Sequence, residues 1–157
     1  MSSPKLKIVQ GDWFAVPLRT GDYATGVAAR ANRSGQILGY FFGPAQRSVP
    51  VLGDTERYSP SEAVLVCIFS SLKLERRAWP LLGRFQEWNR DEWPMPAFSR
   101  FQELNDAHYL QYYDDMNPNM AVRSVVVSAE EAANYPEDGL MGAGFVEARL
   151  TRLLASP

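Results

Sequence analysis

The chain has 157 residues, of which 46% are hydrophobic, 12% aromatic and 22% charged. This length favours a single domain over residues 1–157, and the apolar content is sufficient for a core, which excludes disordered, collagen-like and disulfide-stabilised small scaffolds. Sixteen basic and 18 acidic side chains give a net charge of -2, which excludes a strongly basic nucleic-acid binder or polybasic membrane binder.

Most of the chain has the pattern of short β-strands separated by turns. Residues 12–18 and 23–31 predict two strands, and the sequence NRSG at residues 32–35 predicts a hairpin connection to a third strand at 36–42. Together the three strands form an antiparallel meander. The second strand has small residues on one face, which let a sheet curve or another backbone approach: Ala24, Gly26 and Ala28.

The middle of the chain predicts a loop, a buried strand and an edge strand. Residues 44–60 are polar and rich in turn residues, so we expect a surface loop there. The continuous apolar run at residues 63–69 predicts a strand buried on both faces. A short strand near residues 78–82 is expected at a sheet edge, because Pro80 cannot donate a ladder hydrogen bond.

A second hairpin and a last strand follow. Residues 98–104 and 108–114 have strand patterns, and the dipeptide between them at residues 105–106, Asn-Asp, is typical of a hairpin turn. The run at residues 123–128 predicts the last strand. These segments add further predicted β-structure to the chain.

Helical signals are confined to the end of the chain. Ser128 and Glu131 have the spacing of a capping box, and Pro136 ends the short helix that this predicts. Residues 145–154 are amphipathic, with four apolar side chains on one face: Val146, Leu150, Leu153 and Leu154. The predicted fold is mainly β (α+β), a strongly bent antiparallel sheet or partial barrel with one or two C-terminal helices.

Counts of reactive residues limit the chemistry of the chain. One cysteine and one histidine are too few for the usual tetrahedral zinc sites, so we predict no metal and no cofactor. Cys67 lies within the apolar run, where a thiol packs and does not react, and His108 has no evident nucleophile or metal partner. We therefore predict no catalytic residues and no enzymatic activity.

Targeting signals are also lacking in the pattern of the sequence. Residues 1–10 do not contain the apolar stretch of a signal peptide, and the run at residues 63–69 is too short to cross a bilayer. We therefore expect a soluble, cytoplasmic protein without a membrane partner.

Charge is distributed unevenly along the chain. Residues 1–80 contain ten basic and six acidic side chains, a balance of +4, whereas residues 81–157 contain six basic and twelve acidic ones, a balance of -6. The acidic half includes a segment in which tryptophan and tyrosine are interspersed with carboxylates. Aromatic side chains are enriched at the energetic centres of interfaces, and carboxylates steer a basic partner into register.

This segment supplies the predicted partner-binding residues, which are Glu87, Trp88, Asp91, Glu92, Trp93, Tyr112, Tyr113, Asp114 and Asp115. The alternative is that the tryptophans belong to the core and the carboxylates to an ordinary solvated surface. Tyr112 and Asp114 share one face of their strand, and Tyr113 and Asp115 share the other. At most one of these two pairs is therefore expected to be fully displayed.

Three motifs rich in glycine and aromatic residues occupy the first 43 residues. They are GDWFAVPL at residues 11–18, DYATGV at 22–27 and LGYFFG at 38–43. Together they resemble the opening of the immunity protein 26 family of bacterial polymorphic toxin systems. The resemblance implies a small, mostly β protein that is encoded beside a toxin gene and protects the producing cell by binding the cognate toxin.

We therefore predict an immunity protein that neutralises its cognate toxin by stoichiometric protein–protein binding. A toxin that acts on nucleic acid would offer a basic cleft to the acidic segment; nucleic acid itself is not the expected partner, and the oligomeric state stays open. Two alternatives also stay open. One is an SH3-like β-barrel module that binds a peptide or nucleic acid through Arg30, Arg33 and Arg47, and the other is an antidote enzyme with His108 as general base.

Overall fold

The computed structural model describes residues 6–155, which form mostly β-strands and a few short helices. None of the helices in this range is long and apolar enough to cross a membrane. The strands in chain order are β1 (Trp13–Pro17), β2 (Tyr23–Ala31), β3 (Gln36–Gln46), β4 (Leu65–Ser70), β5 (Leu81–Gly83), β6 (Phe98–Gln102), β7 (Ala107–Asp114), β8 (Asn117–Val127) and β9 (Leu140–Met141). The α-helices are α1 (Leu72–Glu75), α2 (Ala129–Ala132) and α3 (Ala143–Leu153).

The strands form two sheets. The larger sheet has the order β5-β1-β2-β3-β4-β9, and the smaller has the order β6-β7-β8. Neighbouring strands are antiparallel except β4 and β9, which run parallel with Ile68 opposite Leu140 and Phe69 opposite Met141. The larger sheet is strongly curved, and within the described residues it does not close into a barrel. The predicted fold class is confirmed, with one parallel pair added to the expected antiparallel arrangement.

The N-terminal meander is present as predicted, and its third strand is longer than expected. β1, β2 and β3 pair in chain order across the hairpin at residues 32–35. β3 continues to Gln46 because that residue still pairs with Tyr23 at the start of β2. The predicted surface loop therefore begins only after β3, and it contains two 3-10 turns, Leu52–Arg57 and Pro60–Glu62.

The other predicted strands are present with shifted boundaries. β4 begins at Leu65, and only its centre, residues 67–69, is buried on both faces. β5 directly follows Pro80 and forms one edge of the larger sheet. The β6–β7 hairpin turns at Asp106, whose φ of 49° is left-handed, and β8 begins at Asn117, six residues before its predicted start.

Both C-terminal helices are present. The Ser128 hydroxyl accepts a hydrogen bond of 3.1 Å from the backbone N–H of Glu131, which caps the single turn of α2. On α3, Val146 and Leu150 are fully buried, whereas Leu153 is exposed. The buried face of α3 is therefore narrower than the predicted amphipathic stripe.

The curved sheet carries a hydrophobic core on each face, because alternate strand residues point to opposite sides. One core lies between the sheet and helices α1 and α3, and its largest side chains are Phe14, Phe41, Phe69 and Trp79. The other core lies beneath the segment that leads to β6, and its aromatic members include Trp13, Tyr40, Phe42, Tyr58, Trp93 and Phe98. This second core connects the larger sheet to the acidic, aromatic part of the chain.

Candidate functional site

The two tryptophans of the predicted binding segment pack against the protein. Trp93 is only 6% exposed, and its ring meets Trp13 edge-on at 5.7 Å and Tyr40 at 5.3 Å between centroids. Trp88 is half-buried and stacks on Trp93 at 5.6 Å. Such aromatic contacts stabilise a loop that has little regular secondary structure. The two tryptophans therefore anchor the segment to the larger sheet. This is the packing role that the alternative interpretation of the sequence assigns to them.

Arg30 of β2 joins this segment to the smaller sheet. Its side chain is buried, and its guanidinium donates hydrogen bonds of 3.0 Å to the carbonyl oxygen of Trp93 and 2.9 Å to the carboxylate of Asp115. Arg90 donates to the other carboxylate oxygen of Asp115 at 2.6 Å. A buried charge is tolerated when it is paired and fully hydrogen-bonded. Arg30 thereby fixes the 3-10 turn Arg90–Glu92 and the β7–β8 turn to β2.

Asp115 is held in its ionised form by this cluster. Partial burial acts to raise the pKa of Asp115, but the hydrogen bonds and charges of Arg30 and Arg90 outweigh burial and hold the pKa below the ordinary value of 3.8. Its carboxylate is engaged by two guanidinium groups. Asp115 therefore has an evident structural role beside its predicted role in binding a partner.

The two tyrosines of β7 have different environments. The ring of Tyr113 lies edge-on to Phe98 at 5.7 Å, and its hydroxyl donates a hydrogen bond to Asp138. Burial, together with that bond, raises the pKa of the Tyr113 hydroxyl. Tyr112 lies under the guanidinium of Arg123 in β8, at 4.3 Å from the ring centroid. Both rings thus make contacts within the protein, Tyr113 on the inward side.

Four carboxylates of the predicted site have no ion pair within residues 6–155; they form what we call the acidic surface: Glu87, Asp91, Glu92 and Asp114. The first three are exposed and Asp114 is half-buried. Because Arg90 bonds to Asp115, the turn carrying Asp91 and Glu92 lies beside the turn carrying Asp114. The structure therefore brings the acidic residues of two distant segments together.

An open groove of about 710 Å³ lies next to the same junction, between residues 7–10, the β2–β3 hairpin and the β7–β8 turn. Two of the arginines along it, Arg30 and Arg90, are engaged by Asp115. Arg33 is exposed there, and Arg47 is exposed elsewhere in the chain. Of the three arginines considered for nucleic-acid or peptide binding, Arg30 is thus committed to internal contacts.

The two residues weighed for catalysis lie outside this groove. Cys67 is fully buried, and burial raises the pKa of its thiol to about 12, so its predicted packing role is confirmed. The His108 ring packs against Phe101 across the β6–β7 hairpin, with 4.8 Å between centroids. Within the described part of the chain, no hydrogen bond joins the imidazole to a carboxylate.

Sequence reasoning missed the exposed surface of β8. This strand forms one edge of the smaller sheet, and residues 119–126 are all exposed. Val126, for example, is 65% exposed. The apolar run of β8 predicted a strand, but an apolar run is usually buried, and nothing in the sequence indicates which strand lies at an edge.

A comparison with protein families matches most of the chain. The family model described as Immunity protein 26 matches residues 9–110, which is more than half of the chain and extends from the residues before β1 into β7. Searches of curated proteins and of solved structures find no match. The matched residues include all three N-terminal motifs and the aromatic segment with both anchoring tryptophans. The chain belongs to the immunity protein 26 family.

Proposed function

We propose that the protein neutralises the toxin encoded beside its gene by forming a stoichiometric complex with it. Family membership supports an immunity role in a bacterial toxin system. The observation that carries the proposal is the acidic surface of Glu87, Asp91, Glu92 and Asp114, whose carboxylates have no intramolecular ion pair in the described residues. Unpaired carboxylates on a fixed support are available to cations of a partner.

Ring stacking and hydrogen bonds hold the support beneath the acidic surface in place. Trp88 and Trp93 stack on each other, and Arg30 ties the neighbouring turns to β2. A surface that is already ordered loses little conformational entropy when it binds, so more of the contact energy appears as affinity. The arrangement therefore favours a tight binder over an adaptable one.

The chemistry of the surface indicates the kind of toxin. An enzyme that acts on nucleic acid needs a basic cleft to hold phosphates. Carboxylates placed in that cleft form charge-assisted hydrogen bonds with the same lysines and arginines and exclude the substrate. We therefore propose that the toxin domain has a basic cleft and that the acidic surface occupies it.

The direct test is titration of the purified toxin domain with the purified protein. We expect toxin activity to fall linearly and vanish at one equivalent, and light scattering after size-exclusion chromatography to give the mass of a one-to-one complex. Full protection at a small fraction of one equivalent would indicate an antidote enzyme instead. Protection without any complex would contradict inhibition by binding.

A further inference from the structure

The outer edge of β8 is the one long strand edge that the described residues leave uncovered. On its inner side, residues 123–127 pair regularly with residues 108–112 of β7. On its outer side, no backbone hydrogen bond joins residues 120–127 to another part of the described chain. An edge of this kind presents alternate N–H and C=O groups that a further strand could bind.

The other sheet edges are protected. The edge of β6 is covered by residues 136–138, since Ser99 donates its N–H to Pro136 at 2.7 Å and accepts from Asp138 at 2.8 Å. The larger sheet ends in β5 and β9, which have only three and two residues. Short edge strands and covered edges are the usual ways in which proteins prevent unwanted pairing. β8, with 11 residues, has neither protection.

The side chains of β8 also lack the charges that normally protect an edge. Its exposed apolar residues lie along most of the strand: Met120, Val122, Val125 and Val126. Arg123 is the only charged residue of β8, and its guanidinium is held over the Tyr112 ring. A shift of register at Tyr112–Tyr113 bends the strand near Val122 but leaves the stretch from residue 123 regular. Residues 123–127 are therefore suited to accept a strand.

Both ends of β8 are acidic. The acidic surface lies at its N-terminal end, where the β7–β8 turn contacts Arg90, and its four carboxylates outnumber the two exposed cations of the adjoining groove, Lys7 and Arg33. At its C-terminal end Val127 lies opposite His108, next to the β6–β7 turn and α2. Four exposed carboxylates without an ion pair among the described residues occur there: Glu103, Asp106, Glu130 and Glu131. The cation set against them is the one arginine of β6, Arg100.

This charge pattern selects the occupant of the edge. Two copies of β8 paired antiparallel would each place an acidic end against an acidic end, which is unfavourable. A strand with an apolar centre and lysine or arginine at its ends would instead gain main-chain hydrogen bonds along β8 and charge pairs at both ends. We infer that an extended, basic-flanked segment of the toxin adds a fourth strand to the smaller sheet at β8. This inference rests on the proposed function and names the part of the protein that the toxin contacts.

The test compares one substitution at two sites of similar exposure. Val126 is 65% exposed on β8, and Val51 is 61% exposed before the 3-10 turn Leu52–Arg57. A lysine on an edge strand opposes strand addition and repels a basic segment. We expect Val126→Lys to raise the dissociation constant for the toxin domain at least tenfold and Val51→Lys to leave it unchanged, as measured by calorimetry.

Hydrogen exchange of the unmodified protein gives a second readout that needs no variant. We expect backbone amides in residues 123–127 to gain protection when the toxin domain binds, because outward N–H groups acquire acceptors. A stable complex with no added protection there, and with normal affinity for Val126→Lys, would overturn the inference and leave the proposed function intact. If the unmodified protein forms no complex, both fail. A dimer of the free protein that Val126→Lys dissociates would show that the edge binds a second copy, which also overturns the inference.

Discussion

Arg30 is a charged side chain in the interior of the protein, and its neighbours account for it. Its guanidinium donates to the carbonyl oxygens of Ala29 at 2.7 Å and Trp93 at 3.0 Å and to the carboxylate of Asp115. Removing a partner from such a cluster leaves buried polar atoms without hydrogen bonds. If Arg30 is removed, Asp115 is still largely exposed and still paired with Arg90. The expected loss of folding free energy therefore comes mainly from the carbonyl oxygens of Ala29 and Trp93, which lose their donor.

We predict that Arg30→Met lowers the free energy of unfolding by about 2 kcal/mol, the order expected for buried acceptors that lose their donor. Urea unfolding followed by tryptophan fluorescence measures this loss. Arg33→Met is the matched control, because Arg33 is exposed in the adjoining hairpin, and we expect a change below about 0.5 kcal/mol. Equal unfolding midpoints for the two variants would contradict the structural role of Arg30.

The sequence could not reveal how individual acids and tryptophans are used. Asp115 reads as a surface carboxylate because its partner Arg30 is 85 residues away in the chain, and only the folded structure brings the two together. Trp93 could equally have been a displayed or a buried ring, since tryptophan is common in both places. Cys67 was predictable, because a continuous apolar run is typical of a strand that is covered on both faces, so a residue in its middle is buried whichever way it points.

At the scale of elements, glycines allow the central strands to pack large rings closely. A Cβ atom at Gly26 of β2 would lie 2.6 Å from the Phe14 ring and 3.0 Å from the Phe41 ring. Both rings are fully buried and cannot move into solvent. The rings of Phe14 in β1 and Phe41 in β3 therefore explain why β2 needs a residue without a side chain at this position.

We predict that Gly26→Ala destabilises the protein by about 1–3 kcal/mol, the usual cost of overpacking a core. Gly53→Ala is the control, because a Cβ atom there meets no other atom within 4 Å. Thermal unfolding followed by circular dichroism compares the two. A melting temperature for Gly26→Ala at or above that of Gly53→Ala would show that the rings have room to move.

Elements that depend on local pattern were predictable, and elements that depend on distant pairing were not. The meander, the β6–β7 hairpin and the Ser128 cap follow from turn residues and periodicity within a few positions. β9 has only two residues, too few for any periodic signal, and it exists because β4 offers it an edge. The first half of β8 was missed because Asn117, Pro118 and Asn119 have the composition of a turn.

At the scale of the whole molecule, the excess negative charge of the second half is not spread evenly. Part of it is neutralised within the fold, as in the pairing of Asp115 with two arginines and of Glu147 with Lys73. The remainder includes the acidic surface and the carboxylates at the far end of β8. Charges concentrated in this way raise the rate at which an oppositely charged partner associates, and salt screens the effect.

We predict that the double variant Asp91→Lys and Glu92→Lys slows association with the toxin domain by about tenfold or more at low ionic strength, and that the difference shrinks as salt is added. Stopped-flow measurements give both rates. Asp54→Lys with Glu56→Lys makes the same change of net charge in the exposed 3-10 turn Leu52–Arg57 and should have a much smaller effect. Equal slowing by the two double variants would mean that net charge alone steers the toxin.

The parallel pairing of β4 with β9 has a consequence for the order in which the protein can fold during synthesis. The ribosome makes β1 to β4 first, but the core on one face of these strands also requires Met141, Val146 and Leu150. Glu147 of α3 accepts the indole N–H of the buried Trp79 at 2.7 Å, so that side chain too lacks its partner until α3 is made. A nascent chain that ends before α3 therefore lacks part of the apolar cover of Phe41 and Phe69, and exposed apolar surface of this kind favours aggregation. Completion of this core therefore waits until α3 has been synthesised.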